Sequence, residues 1–164
     1  MIIGKTIDKF DDEYEFLSNF YLCMLVHDGH ACKSSEHAFQ AAKTLNENER
    51  RQIRFASSPG KAKRMGKEVT LRPDWEFIKI NIMLDILRIK FAIPDLRDKL
   101  LATGDATLIE GNTWNDQFWG KVGGRGKNWL GKLLMQVRDE IRQHHDHTNK
   151  CNTNSIDSTV RLDK

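Results

Sequence analysis

The chain has 164 residues, 39% of them hydrophobic and 30% charged, and Lys plus Arg exceed Asp plus Glu by 26 to 23, a formal net charge of +3. That is enough chain to bury the core of one globular domain without disulfides or metal. The small basic excess tolerates phosphorylated substrates and does not by itself announce nucleic-acid binding, so a nucleic-acid-binding module using the basic loop is only a third alternative.

Cys23, Cys32 and Cys151 stand at no metal-ligand spacing and read as reduced thiols of a cytoplasmic protein. The first ten residues place Lys5, Asp8 and Lys9 among the apolar positions, unlike the apolar core of a signal peptide, and no uncharged run is long enough to cross a bilayer.

In chain order, Ile2 to Phe10 reads as a first strand, followed by an acidic turn at Asp11, Asp12 and Glu13. Phe16-Leu17-Ser18-Asn19-Phe20 then brackets a Ser-Asn pair with apolar neighbours, which suits either a site that holds donors and acceptors or a plain Asn turn. Tyr21 to His27 and His30 to Lys33 flank Asp28-Gly29, a dipeptide suited to a type I′ hairpin turn. Ser35 to Lys43 predicts a short helix capped by Ser34 or Ser35, and Glu47 to Ala56 a second, charged one. A third helix follows, with Ser58 as cap, Pro59 in its first turn and Gly66 as its stop. Its basic residues Lys61, Lys63 and Arg64, with Lys67 beyond, suit either a phosphate or solvent.

Pro73 to Ala92 is expected to be the longest helix. Trp75, Ile78, Ile82, Ile86 and Ile89 on one side and Phe77, Ile80, Leu84, Leu87 and Phe91 roughly opposite predict a helix sandwiched in the core. Pro94 to Ala102 predicts a short helix, and Ala106 to Glu110 an extended segment. The glycine- and tryptophan-bearing stretch 111–128 is too long for an ordinary connection, and its aromatics speak for function over disorder. It matches neither the phosphate-binding P-loop, which would need Gly at Lys121 and Ser or Thr at Asn128, nor the dinucleotide fingerprint. Leu130, Leu133, Leu134, Val137 and Ile141 recur at helical spacing in a last helix, after which 144–164 reads as a polar, disordered tail. The expected fold is α+β: a predominantly α-helical single domain over 1–143 with a small N-terminal β-hairpin or sheet.

The helix from Ser35 carries the chemistry. At 3.6 residues per turn, Gln40 and Lys43 fall about 40° and about −20° around the axis from Glu36, so all three point one way while Ala38, Ala41, Ala42 and Leu45 take the other side. Such a helix can aim a carboxyl, a carboxamide and an amine at a cavity with Phe39 beside them, or present an ordinary solvated face. His37 lies off that line and reads as a hydrogen-bonded structural histidine. Glu110 and Asp116 are two further acids in segments of special composition, and carboxyls in unlike environments can divide acid and base roles. Trp119 offers a flat surface for stacking, whereas Trp75 reads as core filler. His144, His145 and His147 have no supporting context for a metal site, and neither metal nor cofactor is expected.

Taken together, Phe16-Leu17-Ser18-Asn19-Phe20, Ser35-Glu36-His37-Ala38-Phe39-Gln40-Ala41-Ala42-Lys43, Arg72-Pro73-Asp74-Trp75, Leu108-Ile109-Glu110, Asp116, Trp119-Gly120 and Gly126-Lys127-Asn128-Trp129-Leu130-Gly131-Lys132-Leu133-Leu134 resemble the NADAR superfamily of YbiA-like N-glycosidases. The resemblance runs over about residues 10 to 143 in order. It implies a cytoplasmic hydrolase cleaving the C1′–N bond of a ribosylated amine. The substrate would be either a phosphoribosylamino-pyrimidine intermediate of riboflavin synthesis or ADP-ribose on guanine bases of nucleic acid. Glu36, Lys43 and Asp116 would be catalytic, with Glu110 in reserve. Asn19, Phe20, Phe39, Gln40, Trp119, Gly120 and Asn128 would bind the substrate, and Arg125 and Lys127 its phosphates. A non-catalytic module that binds ADP-ribose or NAD is the alternative, and no membrane partner is implied.

Overall fold

Only two residues of the expected first strand form one: in the computed structural model, which describes residues 4–156 and side chains through 145, β1 is Thr6–Ile7. Ile2 and Ile3 lie outside the described residues. The strand is short because its partner is short. β1 pairs in parallel with β4 (Thr107–Leu108), Ile7 beside Leu108, and both apolar side chains enter the core. The Gly111 N–H still donates to the Asp8 carbonyl at 3.2 Å, so the two chains leave the ladder together.

A 3-10 turn over Asp12–Leu17 buries Phe16 and Leu17 and delivers Ser18 and Asn19. The hairpin follows as read. β2 (Leu22–His27) and β3 (His30–Ser34) are antiparallel, and Asp28 and Gly29 take φ of 53° and 76°, the left-handed pair that a type I′ turn requires. β3 runs directly into α1 (Ser35–Ala41), whose cap is Ser34, its hydroxyl accepting the His37 N–H. Ala42 closes this helix, so Lys43 stands in the turn beyond it. There the Lys43 carbonyl accepts the Arg72 N–H at 2.8 Å.

α2 (Glu47–Arg54) and α3 (Pro59–Met65) pack on α1, with Ser58 capping α3 through the Lys61 N–H. His37 ties this corner together, as its structural reading anticipates. Its Nδ1 lies 2.8 Å from Ser34 Oγ and its Nε2 3.1 Å from the Ala56 carbonyl oxygen. α4 (Trp75–Lys90) buries Trp75, Met83, Ile86, Leu87 and the whole of Lys90, whose ammonium donates to the Ser18 carbonyl at 2.8 Å. Both expected stripes meet the core, with Trp75 and Ile86 buried on one side and Leu87 and Phe91 on the other, and only Phe77 among the residues named for them stands out, at 87% exposed. Leu45, assigned to the apolar side of α1, is exposed as well, since the helix ends before reaching it.

After α5 (Pro94–Ala102) and β4, the chain ends in α6 (Trp129–Ile156), which at 28 residues exceeds the 16 of α4 and displaces it as the longest helix. α6 passes through the expected boundary at 143. The sequence from His144 to Ile156 contains no Gly or Pro, and each added residue extends an existing helix by one hydrogen bond. Residues 157–164 of the expected tail lie outside the described residues. The core joins Leu130, Leu133, Leu134 and Val137 of α6 to α4, β4 and α1, a predominantly helical α+β domain with two small two-stranded sheets among the described residues. Among the described residues no helix is long and apolar enough to cross a membrane.

Candidate active site

All of α1 is buried, and this is unusual for a helix carrying Glu, His and Gln. Glu36 and Gln40 are tolerated because they bond one another and border a cavity of about 1080 Å³, and His37 because it bonds Ser34 and the Ala56 carbonyl. Glu36, Phe39, Gln40 and Lys43 line this cavity from one side. Glu110, Asp116 and Trp119 line it from the other, together with the chain between Ile109 and Trp114. Asn19 and Phe20 complete a third wall. Phe39 joins the walls: its ring sits 5.0 Å from Trp75 of α4 and 5.3 Å, edge to face, from Trp119.

The segment 111–128 is ordered by hydrogen bonds that close on β4 and on the start of α6. Lys121 N–H donates to the Glu110 carbonyl and Asn112 N–H to the Lys121 carbonyl, at 2.8 and 2.9 Å. Asn112 clamps the residue opposite in both directions, its Oδ1 accepting the Asp116 N–H at 3.0 Å and its Nδ2 donating to the Asp116 carbonyl at 2.8 Å. Asp116 in turn accepts the N–H groups of Phe118 and Trp119 on Oδ1, at 3.1 and 2.9 Å. One oxygen of this acid is thus spent on holding the loop that carries Trp119.

The electrostatics follow from burial. Glu36 is 6% exposed, and desolvation pushes its carboxyl above the usual range against the opposing effects of the Gln40 hydrogen bond and of Lys63 and Lys43. Gln40 Nε2 donates to Glu36 Oε1 at 2.7 Å. Glu110 is pushed up to about 8, first by burial and then by the nearby Asp116. Its Oε2 is buried without a hydrogen-bond partner among the described residues. Lys43 is driven the other way: burial lowers its ammonium below the ordinary lysine value, with Lys63 and Lys67 adding to the effect and Glu36 opposing it. Burial thus raises both acids and lowers the amine beside them. Asn19 Oδ1 and Gln40 Oε1 are also buried without hydrogen-bond partners among the described residues, and Gln40 Oε1 packs against Gly66 at the end of α3.

Four of the expected binding residues lie off the cavity wall. Asn128 is buried beneath it as a clamp: its Oδ1 accepts the Glu110 N–H at 3.0 Å and its Nδ2 donates to the Leu108 carbonyl at 2.9 Å. Gly120 packs so closely on the Glu110 carbonyl that no side chain fits there. Arg125 closes a turn with Val122, and the Lys127 ammonium lies 5.4 Å from the Phe118 ring. Conversely, Lys63, Met83, Trp114 and Lys121 line the cavity without having been singled out as site residues. For Lys63 the sequence signal was its basic cluster, of which it alone turns inward.

A family model described as the NADAR domain matches residues 7–142. The chain is 46% identical over 147 residues to N-glycosidase YbiA of Escherichia coli strain K12, covering 85% of this chain and 91% of that protein. It is 38% identical over 138 residues to a riboflavin biosynthesis protein of Vibrio vulnificus, covering 82% of this chain and 37% of that longer protein. The NMR structure of E. coli YbiA superimposes with a TM-score of 0.77 at 42% identity, covering 88% of this chain and 89% of that one.

Proposed function

The chain belongs to the NADAR domain family, and from that membership we propose that it is an N-glycosidase that hydrolyses the C1′–N bond of a ribosylated amine. The substrate is a phosphoribosylamino-pyrimidine of the kind made in riboflavin synthesis, in keeping with the name of the V. vulnificus relative. The observation that carries the reading is the meeting of Lys43 with Glu36 and Glu110 in one largely apolar-walled cavity.

An amine nitrogen on C1′ lets the ribose ring open: the nitrogen lone pair forms a C1′=N bond as the ring oxygen leaves and takes a proton. Neutral Lys43 Nζ adds to C1′. The protonated Glu110 carboxyl donates to the pyrimidine nitrogen, the C1′–N bond to the heterocycle breaks, and the sugar is left as an imine on Lys43. Water adds to that C1′, the lysine amine departs, and Glu110 recovers its proton as the sugar aldehyde closes. One water is consumed and one aminopyrimidine released. Glu36, which favours positive charge at Lys43, steadies the cationic imine, Asn19 and Gln40 flank the sugar, and Trp119 covers the heterocycle. Asp116 acts electrostatically and holds the loop. Free thiols at Cys23 and Cys32 suit the cytoplasmic setting of this reading.

The test offers the purified protein a phosphoribosylamino-pyrimidine and an ADP-ribosylated guanine in parallel and follows the release of free base. Release from the pyrimidine is the expected result, and release from the guanine alone would move the substrate class. Tight binding without release of either base would replace the enzyme with a binding module.

A further inference from the structure

Lys63 belongs to α3, yet it lines the cavity formed mainly by α1 and the 111–124 segment. Its Nζ lies 5.6 Å from the centre of the Phe20 ring and 5.7 Å from that of Trp114. No hydrogen bond or ion pair among the described residues reaches that ammonium. The two rings are 43% and 59% exposed, which places the Lys63 tip at the solvent side of the cavity, with the buried acids deeper in. The other basic residues of this stretch, Lys61, Arg64 and Lys67, are exposed and do not line the cavity.

We propose that Lys63, held between Phe20 and Trp114, is the cation that receives the phosphate of the substrate at the mouth of the cavity. This rests on the N-glycosidase reading and assigns the anion contact that Arg125 and Lys127, both off the wall, do not make. Two rings fix a flexible lysine tip by cation–π attraction without neutralising it, so its charge stays available to a ligand. A carboxylate partner in the same place would have competed with the phosphate. The polarity of the cavity agrees with this orientation. The carboxyls of Glu36 and Glu110, which line the cavity, offer oxygens that suit a ribose donating hydroxyl protons. A phosphate offers only acceptors, and Lys63 is a donor. Burial holds the Glu110 carboxyl up to about 8, which spares an anionic substrate part of the repulsion that a charged carboxylate would impose.

The test measures binding to the full chain by NMR titration, using ribose, ribose 5-phosphate and ADP-ribose as probes. The wild-type protein is expected to bind ribose 5-phosphate about tenfold or more tightly than ribose, the range of one charge-assisted contact. Lys63→Met is expected to erase that preference while leaving ribose binding intact, which also shows that the cavity has folded. Lys63→Arg is expected to restore part of the preference, and Lys63→Gln supplies a second neutral variant should Lys63→Met fold poorly. A Lys63-dependent gain that is larger for ADP-ribose points to a diphosphate, and one larger for ribose 5-phosphate to a monoester. A preference that survives both neutral variants, or a wild-type protein indifferent to the phosphate, overturns the proposal. Because no bond cleavage is read, the outcome is independent of whether the protein proves to be a glycosidase.

Discussion

Gly66 is packed against the carboxamide of Gln40 so tightly that a β-carbon at position 66 would overlap Gln40 Oε1. Gly66 ends α3 with φ −63°, a conformation any residue adopts, so the glycine is there for space and not for backbone freedom. Gly66→Ala should therefore push Gln40 off Glu36 and cost about 1–3 kcal/mol by overpacking. The coupling is checked by thermal denaturation of a double-mutant cycle. Adding Gln40→Ala to Gly66→Ala should recover stability, and strict additivity of the two losses would show that the contact is unimportant.

Asn128 fixes the height of Glu110 in the cavity by taking its N–H and holding the Leu108 carbonyl. Asn128→Asp keeps the acceptor but loses the Nδ2 donor, setting a carboxylate oxygen against a buried carbonyl. A loss of roughly 2–3 kcal/mol in urea unfolding is expected, typical of an unsatisfied buried group. An unchanged midpoint would mean that the clamp is dispensable.

Glu110 ties stability to pH in a definite direction. Its folded value of about 8 lies above the ordinary carboxyl value of 4.5, so its contribution is complete below pH 4.5 and is lost as pH rises through about 8. Glu110→Gln removes the ionisable proton. The variant should be more stable than the wild type near pH 9, on the order of a few kcal/mol, with the difference vanishing toward acid. Parallel stability–pH curves for the two proteins would contradict a raised carboxyl at this position.

The same group and Lys43 should shape activity. The mechanism needs Lys43 neutral and Glu110 protonated, so the rate should rise as the lowered lysine deprotonates and fall as Glu110 ionises near 8. Glu110→Gln should lower kcat by about 10²-fold or more and remove the alkaline limb. Persistence of that limb would assign it to another group.

Borohydride added during turnover should reduce a sugar imine onto Lys43. Lys43→Arg, which keeps a cation but cannot form the neutral amine, should neither trap nor turn over. Full turnover by Lys43→Arg would leave only direct, carboxyl-assisted hydrolysis.

Much of this molecule is legible in one dimension because the relevant forces act over a few residues. Asp28-Gly29 specifies its turn through the conformations those residues tolerate, Ser34 and Ser58 cap helices through hydrogen bonds to residues just ahead, and the i, i+4 spacing of Glu36 and Gln40 follows helical geometry. The family resemblance marked the same residues. What the sequence could not decide were matters of packing between distant segments. Phe77 and Leu45 are apolar and yet exposed, because no other element covers them. Asn128, expected at the substrate, is instead a buried clamp, since its neighbours are Leu108 and Glu110 across a loop. Lys63 is indistinguishable in sequence from the basic residues around it, and it becomes a cavity cation only because α3 turns that one position toward Phe20 and Trp114. Local hydrogen bonding and steric preference wrote the helices, caps and turn into the chain. Which side chains share a cavity, and which acid is buried enough to keep its proton, depends on long-range packing that excludes water, and only the tertiary structure supplies that.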